Sequence, residues 1–263
     1  MSRRCRERSG SVRLKESVRL SGAVGSFDFV ILRDGVFNLR LYWLNGLVLW
    51  AVLLVTAGCM STTVDYEGHR VFNPHYLWYL ESPKRDSWQK PDDVLDALEL
   101  VEGDVIADIG AGGGYFSEKL AGRVGPTGLV YATDVQPAMI KALRKRVAKR
   151  GLTNVTVIHG GFHDPNLPSA SCDWVFLSSV YKEIDERPAY MRKVREVLKK
   201  NGRVAILEYR PETGGTGPPR QDRLPEAQII AEMKAAGFSL LSRFDFLPRE
   251  WFLVFGPAPD SVD

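Results

Sequence analysis

Residues 105–117 read Val-Ile-Ala-Asp-Ile-Gly-Ala-Gly-Gly-Gly-Tyr-Phe-Ser. Their first five residues are mostly apolar, as in a buried parallel strand, and they run directly into a cluster of glycines. Phe116 and Leu120 then mark one face of a helix. Strand, glycine turn and helix together predict a βα unit in which a ligand approaches bare backbone at the start of the helix. A plain structural turn is the alternative for the glycine cluster.

The glycine spacing excludes two common phosphate-binding motifs. A dinucleotide fingerprint needs glycines at positions i, i+2 and i+5. Counted from Gly110, the last of these positions is Tyr115. A P-loop needs Gly-Lys-Ser/Thr, and no such triplet follows the cluster.

A second apolar strand, residues 129–134, ends in an acid. Asp134 follows Gly114 by 20 residues, a spacing at which nucleotide-binding folds place a ribose-binding carboxylate. Such a carboxylate accepts hydrogen bonds from two vicinal hydroxyls. Asp134 is therefore predicted to bind the ribose of a nucleoside cofactor. Its alternative role is to cap the helix that starts near Pro137.

The pattern Asp-x-Gly-x-Gly-x-Gly at residues 108–114 resembles motif I of the class I S-adenosylmethionine-dependent methyltransferases. Within that family the chain looks most similar to the methyltransferases of ubiquinone and menaquinone biosynthesis. The resemblance covers residues 91–256. It implies an α/β, Rossmann-like sheet of seven strands in the order 3-2-1-4-5-7-6, with helices on both faces. Residues 257–263 are expected to form a tail.

The same resemblance implies S-adenosyl-L-methionine as the cofactor, bound across the carboxyl ends of the first, second and fourth strands. The methionyl part is expected over Asp108 and the glycine turn, the ribose at Asp134, and the adenine in loop 161–164. The usual Gly-Asp pair of that loop is absent, because Phe162 follows Gly161. The residues expected to contact the cofactor are Asp108, Gly110, Ala111, Gly112, Gly114, Asp134, Val135, Gly161, Phe162, His163, Asp164 and Ser178.

One short stretch, residues 181–183, is predicted to contact the methyl acceptor. Tyr181, Lys182 and Glu183 follow the fourth predicted strand, at the sheet edge where ligands bind. Relatives that the chain resembles commonly carry histidine after the tyrosine, and Lys182 removes this obvious general base. Methyl transfer depends mainly on alignment, which alone can supply about 7–11 kcal/mol. These three residues are therefore the candidate catalytic residues in contact with the acceptor.

The rest of the chain alternates strands and helices. Further strands are predicted over residues 155–158, 172–177 and 203–209, followed by a terminal antiparallel hairpin of 239–246 and 251–255. Helices are predicted over 91–98, 136–150, 185–198 and 226–236. Residues 211–225, rich in Pro and Gly, are expected to form a loop over the acceptor site.

Residues 41–59 predict a membrane signal. Residues 41–58 carry no charge, and residues 55–59 read Val-Thr-Ala-Gly-Cys, which resembles a bacterial lipoprotein box with Cys59 as the lipidated residue. An uncleaved membrane anchor and a buried core helix are the alternatives. The lipoprotein signal and the uncleaved anchor both predict membrane association, but neither decides which side of the membrane the domain faces. Because S-adenosylmethionine is made in the cytoplasm, an exported domain conflicts with the predicted cofactor.

Charge is concentrated before this segment. Residues 1–40 contain nine Lys or Arg and four Asp or Glu, so the remainder of a chain with net charge +3 is slightly acidic. The first forty residues are predicted to be a basic, disordered extension. The acidic remainder argues against a nucleic-acid partner. The basic helix 136–150 keeps an RNA substrate as an alternative.

Residues 60–90 are rich in aromatic residues and are predicted to form a lid or linker over the domain, with a membrane-interface role as the alternative. The three cysteines, Cys5, Cys59 and Cys172, are widely spaced and predict no metal site or disulfide framework.

The predicted function is a membrane-tethered S-adenosylmethionine-dependent methyltransferase of a small or lipid-like acceptor. A catalytically inactive, cofactor-binding envelope lipoprotein and an RNA methyltransferase are the alternatives.

Overall fold

The computed structural model describes residues 17–22, 25–30, 62–214 and 217–259. The chain divides into two units, Met1–Met60 and Ser61–Asp263. The signal predicted over residues 41–59, including Cys59, lies outside the described residues. Within the described residues, no helix has the length and apolar character needed to cross a membrane.

The first unit contains an antiparallel hairpin where we expected a disordered extension. Strand β1 is Ser17–Gly22 and strand β2 is Gly25–Val30. Polar and apolar residues alternate in both segments, which is the pattern of a strand.

The second unit contains nine strands and seven α-helices in its described part. The strands are β3 (Thr63–Tyr66), β4 (His69–Phe72), β5 (Val105–Ile109), β6 (Leu129–Asp134), β7 (Val155–His159), β8 (Cys172–Ser178), β9 (Leu198–Tyr209), β10 (Phe238–Phe244) and β11 (Glu250–Pro257). The helices are α1 (Leu77–Leu80), α2 (Asp86–Gln89), α3 (Pro91–Ala97), α4 (Tyr115–Val124), α5 (Pro137–Arg150), α6 (Arg187–Val197) and α7 (Glu226–Ala235).

Seven of these strands form one sheet in the order β10-β11-β9-β8-β5-β6-β7. Numbered from β5, this is the predicted order 3-2-1-4-5-7-6, so the predicted fold is confirmed. Strands β5 to β9 are parallel, and the hairpin β10–β11 joins β9 in antiparallel fashion. The chain reverses direction across the sheet between β5 and β8, and ligands bind at such a point.

The fifth strand of the sheet differs from its prediction. We expected this strand to begin at residue 203, but β9 begins at Leu198, directly after helix α6. The extra residues are accommodated by a bulge, because Cys172 pairs with Leu198 whereas Trp174 pairs with Arg203.

The core lies on both faces of the sheet. Along β8, Val175 and Leu177 pack with helices α6 and α7, whereas Trp174 and Phe176 pack with α3, α4 and α5. This alternation follows from the two-residue period of a strand. Each fully buried side chain of this size contributes roughly 1.5–3 kcal/mol to folding. The helices on both faces confirm the three-layer arrangement expected from the sequence.

Candidate active site

A cavity of about 460 Å³ lies at the carboxyl ends of β5, β6 and β8. This volume is within the range of small-molecule sites, roughly 300–1,000 Å³. One wall consists of loops that follow the parallel strands, and the other of residues 62–88 from the aromatic N-terminal segment. That segment therefore covers the sheet edge at which the sequence placed the ligand.

The glycine turn brings backbone to the cavity wall. Gly110 has φ +69°, and a Cβ atom there would lie 2.4 Å from the side chain of Val180. Gly114 has φ +88° and starts helix α4, and a Cβ atom there would lie 2.6 Å from Leu143. Both positions need glycine for its left-handed conformation and for the close approach of neighbouring side chains.

Asp108 is the acid of the first strand and is 2% exposed. Its Oδ2 accepts a hydrogen bond from the Ser117 hydroxyl at 2.6 Å. Burial raises the pKa of Asp108 to about 6, although Ser117 and the nearby Arg85 act in the opposite direction. A buried carboxylate at a cavity wall favours a ligand that brings a positive group to it.

Asp134 is held at both carboxylate oxygens. Gly112 N donates to Oδ2 at 3.0 Å, and Gln136 N donates to Oδ1 at 2.9 Å. Burial raises the pKa of Asp134 to about 6, and these two backbone bonds partly offset it. Each oxygen retains acceptor capacity, so the carboxylate can still bind two hydroxyls. The alternative role as a cap holds only in part, since Gln136 occupies the N-cap position of α5.

Phe162 lines the cavity. Its ring stacks on His69 of strand β4, with centroids 3.7 Å apart and an angle of 14° between the planes. His69 also pairs with Asp185. The N-terminal segment thus fixes an aromatic pair next to Gly160 and Gly161, which line the same cavity. This pair is suited to covering a flat heterocyclic ring.

Comparison with known proteins decides the family. The methyltransferase domain family matches residues 100–242, more than half of the chain. The chain belongs to this family. A solved S-adenosylmethionine-dependent methyltransferase from Aquifex aeolicus matches 72% of this chain and 100% of its own, with 26% identity and a TM-score of 0.69.

Two curated relatives are also methyltransferases. Protein-L-isoaspartate O-methyltransferase of Ignicoccus hospitalis is 27% identical over 171 residues, which are 65% of this chain and 71% of that protein. Demethylmenaquinone methyltransferase of Anoxybacillus flavithermus is 29% identical over 155 residues, which are 57% of this chain and 65% of that protein.

S-adenosylmethionine is the cofactor of this methyltransferase, as expected from the motif. The cavity residues fit it: two buried carboxylates lie at Asp108 and Asp134, and the glycine turn exposes backbone between them. Among the described residues, no group of three His, Cys, Asp or Glu side chains could hold a metal ion.

Most of the predicted cofactor residues come together at the cavity, but not all do. Those that line it are Asp108, Gly110, Ala111, Asp134, Val135, Gly161, Phe162 and Ser178. Gly112, Gly114, His163 and Asp164 are not part of the lining. Gly112 and Gly114 instead shape the turn. Asp164 stabilises its own loop, in which Asn166 N donates to its carboxylate at 2.7 Å and Gly161 N to its carbonyl at 2.8 Å.

Tyr181, which we predicted to contact the acceptor, does not line the cavity. Its side chain is fully buried and packs in the core beside helices α6 and α7. The hydroxyl donates to Glu232 at 3.2 Å and does not reach the cavity. The short 3₁₀ turn after β8 directs Tyr181 into the core and its two successors toward the cavity.

Lys182 and Glu183 do line the cavity of the methyltransferase. Lys182 Nζ donates to Glu183 Oε1 at 3.2 Å and to the Ser179 carbonyl. Burial alone would lower the pKa of Lys182, but the carboxylates of Glu183 and Glu208 raise it above its ordinary value. Lys182 therefore stays protonated and acts as a hydrogen-bond donor, not as a base.

A polar network that was not predicted from the sequence joins the N-terminal segment to the sheet. Gln89 Nε2 donates to both carboxylate oxygens of Glu250, at 3.0 and 2.9 Å, and to Ser178 Oγ at 3.2 Å. Ser179 Oγ donates to Glu250 Oε1 at 3.1 Å. Burial raises the pKa of Glu250 to about 7. No local motif marks these residues, because they meet only after the sheet has formed.

Proposed function

We propose that this methyltransferase transfers a methyl group to a small acceptor with a flat, largely apolar ring. The observation that carries the proposal is the aromatic lining of the cavity, which Lys182 also lines. Trp88 and Tyr209 lie with ring centroids 5.6 Å apart, and Tyr79 and Pro218 line the same cavity. Aromatic walls favour a ring that can stack or meet them edge-on.

The two curated relatives named above point to different acceptor classes, one a demethylmenaquinone and the other an isoaspartyl residue of a protein. The N-terminal segment favours the smaller class, because residues 62–88 wall in the cavity. A protein substrate would need an open groove for its chain on both sides of the reacting residue.

S-adenosylmethionine, when bound, supplies a methyl group on a positively charged sulfur that is already activated for displacement. The chain's own contribution is to align the acceptor with that methyl and to exclude water. The Lys182 ammonium can donate to an acceptor oxygen, which fixes the ring's orientation. An acceptor hydroxyl or ring carbon must also lose a proton, and the Glu183 carboxylate lines the cavity where it can accept that proton.

A radiolabel assay tests this proposal. Full-length protein is incubated with methyl-labelled S-adenosylmethionine and, in separate reactions, a naphthoquinol, a polycyclic phenol and an isoaspartyl peptide. We expect label in a ring acceptor. Trp88→Ala should raise KM for that acceptor at least several-fold, whereas Trp88→Phe, which keeps an aromatic face, should stay close to the wild type. Transfer to the peptide alone, or binding of cofactor without any transfer, would contradict the proposal.

We also propose that residues 41–59 tether the enzyme to a membrane, through lipidated Cys59 or through the uncharged segment itself. The support is the sequence alone: the eighteen residues 41–58 are uncharged, and the segment ends in the lipobox-like residues 55–59. Cells expressing the full chain are labelled with palmitate and fractionated. Label that is lost in Cys59→Ser supports the lipid anchor. Membrane recovery that persists without label supports the uncleaved segment, and recovery of the wild type in the soluble fraction removes both.

A further inference from the structure

Arg85 lies where the N-terminal segment meets the cavity. Its guanidinium group is partly buried and lines the cavity. It donates to Leu80 O at 2.9 Å, to Ser178 Oγ at 3.3 Å and to Gln89 Oε1. Its Cζ atom lies 4.3 Å from the centre of the Tyr115 ring. Neutral groups thus hold the guanidinium at the edge of the site.

No carboxylate forms an ion pair with Arg85 in the part of the chain that the structure describes. Arg187 binds Glu232 at 2.7 Å, and Arg146 binds Glu81 at 2.8 Å and Glu118 at 2.9 Å. Arg223, which is 6% exposed, is held by the carbonyl oxygens of Pro218, Arg210 and Thr213, but it does not line the cavity. A charge removed from water without a partner is costly to fold around. An arginine in this state beside a cavity is therefore prepared for a charge that comes with a ligand.

The neighbouring acids are occupied elsewhere. The Asp108 carboxylate accepts from Ser117, and the Glu250 carboxylate accepts from Gln89 and Ser179. Gln89 separates Arg85 from Glu250, because its amide oxygen accepts from Arg85 while its amide nitrogen donates to Glu250. This bridge keeps the two charges apart and leaves the guanidinium directed by neutral acceptors alone.

We propose that Arg85 is an anion-binding residue of this site and pairs with a carboxylate of a bound ligand. The inference rests on the proposed function. Two ligands could bring that carboxylate: the amino-acid end of the cofactor, which is expected beside Asp108, or an acidic substituent of the ring acceptor. A planar guanidinium suits either one, because it donates two parallel hydrogen bonds to a carboxylate.

Isothermal titration of full-length protein separates the two sources. The cofactor pair is S-adenosylhomocysteine, which carries the carboxylate, and 5′-methylthioadenosine, which lacks the whole amino-acid end. The acceptor pair, titrated at saturating S-adenosylhomocysteine, is 2-naphthoate and neutral 2-naphthamide. The variants are Arg85→Gln and Arg85→Lys, with Arg123→Gln as the control, because Arg123 pairs with Asp96 on the surface.

We expect Arg85→Gln to weaken binding of one carboxylate-bearing ligand by about ten- to hundredfold while its neutral partner changes less than twofold. Arg85→Lys should recover part of that loss. A loss confined to S-adenosylhomocysteine assigns the cofactor, and one confined to 2-naphthoate assigns the acceptor. Equal effects on both members of each pair, or no effect, would overturn the proposal. Failure to methylate any ring acceptor would contradict the proposed function but would leave these affinities measurable.

Discussion

The backbone N–H of Gly112 donates to Asp134 Oδ2 at 3.0 Å, so the glycine turn after β5 and the acid that ends β6 hold each other in place. The two residues lie 22 positions apart in the chain. This bond orients the carboxylate toward the cavity and fixes the turn whose backbone lines it. The cofactor site is therefore one preorganised unit, and each of its parts can be tested separately.

Gly110→Ala is expected to destabilise the protein by at least about 1–2 kcal/mol. The residue has φ +69°, which a side chain disfavours by about this amount, and the new Cβ would lie 2.4 Å from Val180. Gly122→Ala is the matched control, since a Cβ there meets nothing within 4 Å and the residue lies inside α4. It should stabilise the protein by about 0.5–1 kcal/mol. Urea unfolding measures both, and equal effects of the two variants would contradict the assigned strain.

Cofactor affinity should depend on pH between 5 and 7. Burial raises the pKa of both Asp108 and Asp134 to about 6, from an ordinary value of 3.8. In the predicted site, ionised Asp108 and Asp134 would bind the ammonium and the ribose hydroxyls, so affinity for S-adenosylhomocysteine should rise with pH, with a midpoint near 6. Titration calorimetry across this range measures the profile. Asp108→Asn removes one of the two groups and should make the profile shallower, and a flat wild-type profile would refute the shifted pKa values.

Stability of the ligand-free protein should change in the opposite direction. The folded protein binds these two protons more tightly than the unfolded chain does, because both pKa values are raised. Their contribution to stability is therefore complete below about pH 3.8 and is lost as pH rises through about 6. Urea unfolding of wild type and of Asp108→Asn at pH 5 and pH 7 measures this part. The stability lost by wild type over this interval should exceed that lost by the variant.

Tyr181→Phe should leave cofactor binding intact. The hydroxyl donates to Glu232 in the core and does not line the cavity, so its removal should cost about 0.5–1.5 kcal/mol of stability. The affinity for S-adenosylhomocysteine should change less than twofold.

Lys182→Met removes a cavity-lining donor and should reduce turnover of the ring acceptor at least tenfold. A comparable loss of turnover in Tyr181→Phe would contradict this assignment and support contact of Tyr181 with the acceptor.

Phe162→Ala should weaken S-adenosylhomocysteine and 5′-methylthioadenosine by the same factor, about three- to tenfold. The ring stacks on His69 with centroids 3.7 Å apart and borders the end of the cavity expected to hold the adenine, which both ligands share. Phe162→Tyr keeps the ring and should bind both ligands as the wild type does. A loss for S-adenosylhomocysteine alone would place the amino-acid end, not the adenine, beside Phe162.

The sequence predicted the sheet and the centre of the site because both are local patterns. Asp108, the glycine turn and Asp134 carry their chemistry in their spacing, and the strand order follows from the family. Arg85 and Glu250 could not be predicted in the same way. Arg85 belongs to the N-terminal segment and Glu250 to the last hairpin, and Gln89 bonds both of them. Gln89 and Glu250 are separated by 161 positions in the chain.

Local geometry explains the remaining differences. Tyr181 and Lys182 are adjacent in the sequence, yet a single 3₁₀ turn sends one into the core and the other to the cavity. The rule that residues following a parallel strand lie at the ligand-binding edge of the sheet does not distinguish these two neighbours. Likewise the register shift before the pair of Trp174 and Arg203 lets β9 begin at Leu198, five residues before its predicted start at residue 203.

The most direct measurement is titration calorimetry of Asp134→Asn with S-adenosylhomocysteine. The amide keeps the shape of the side chain but loses the charge predicted to bind the ribose hydroxyls, and its NH2 group replaces one acceptor of a backbone N–H. Affinity should therefore fall about ten- to hundredfold. Asp173→Asn is the control, because Asp173 bonds Val105 N and Lys199 at the opposite end of the strands. Wild-type affinity in Asp134→Asn, or an equal loss in Asp173→Asn, would contradict the nucleoside site described here.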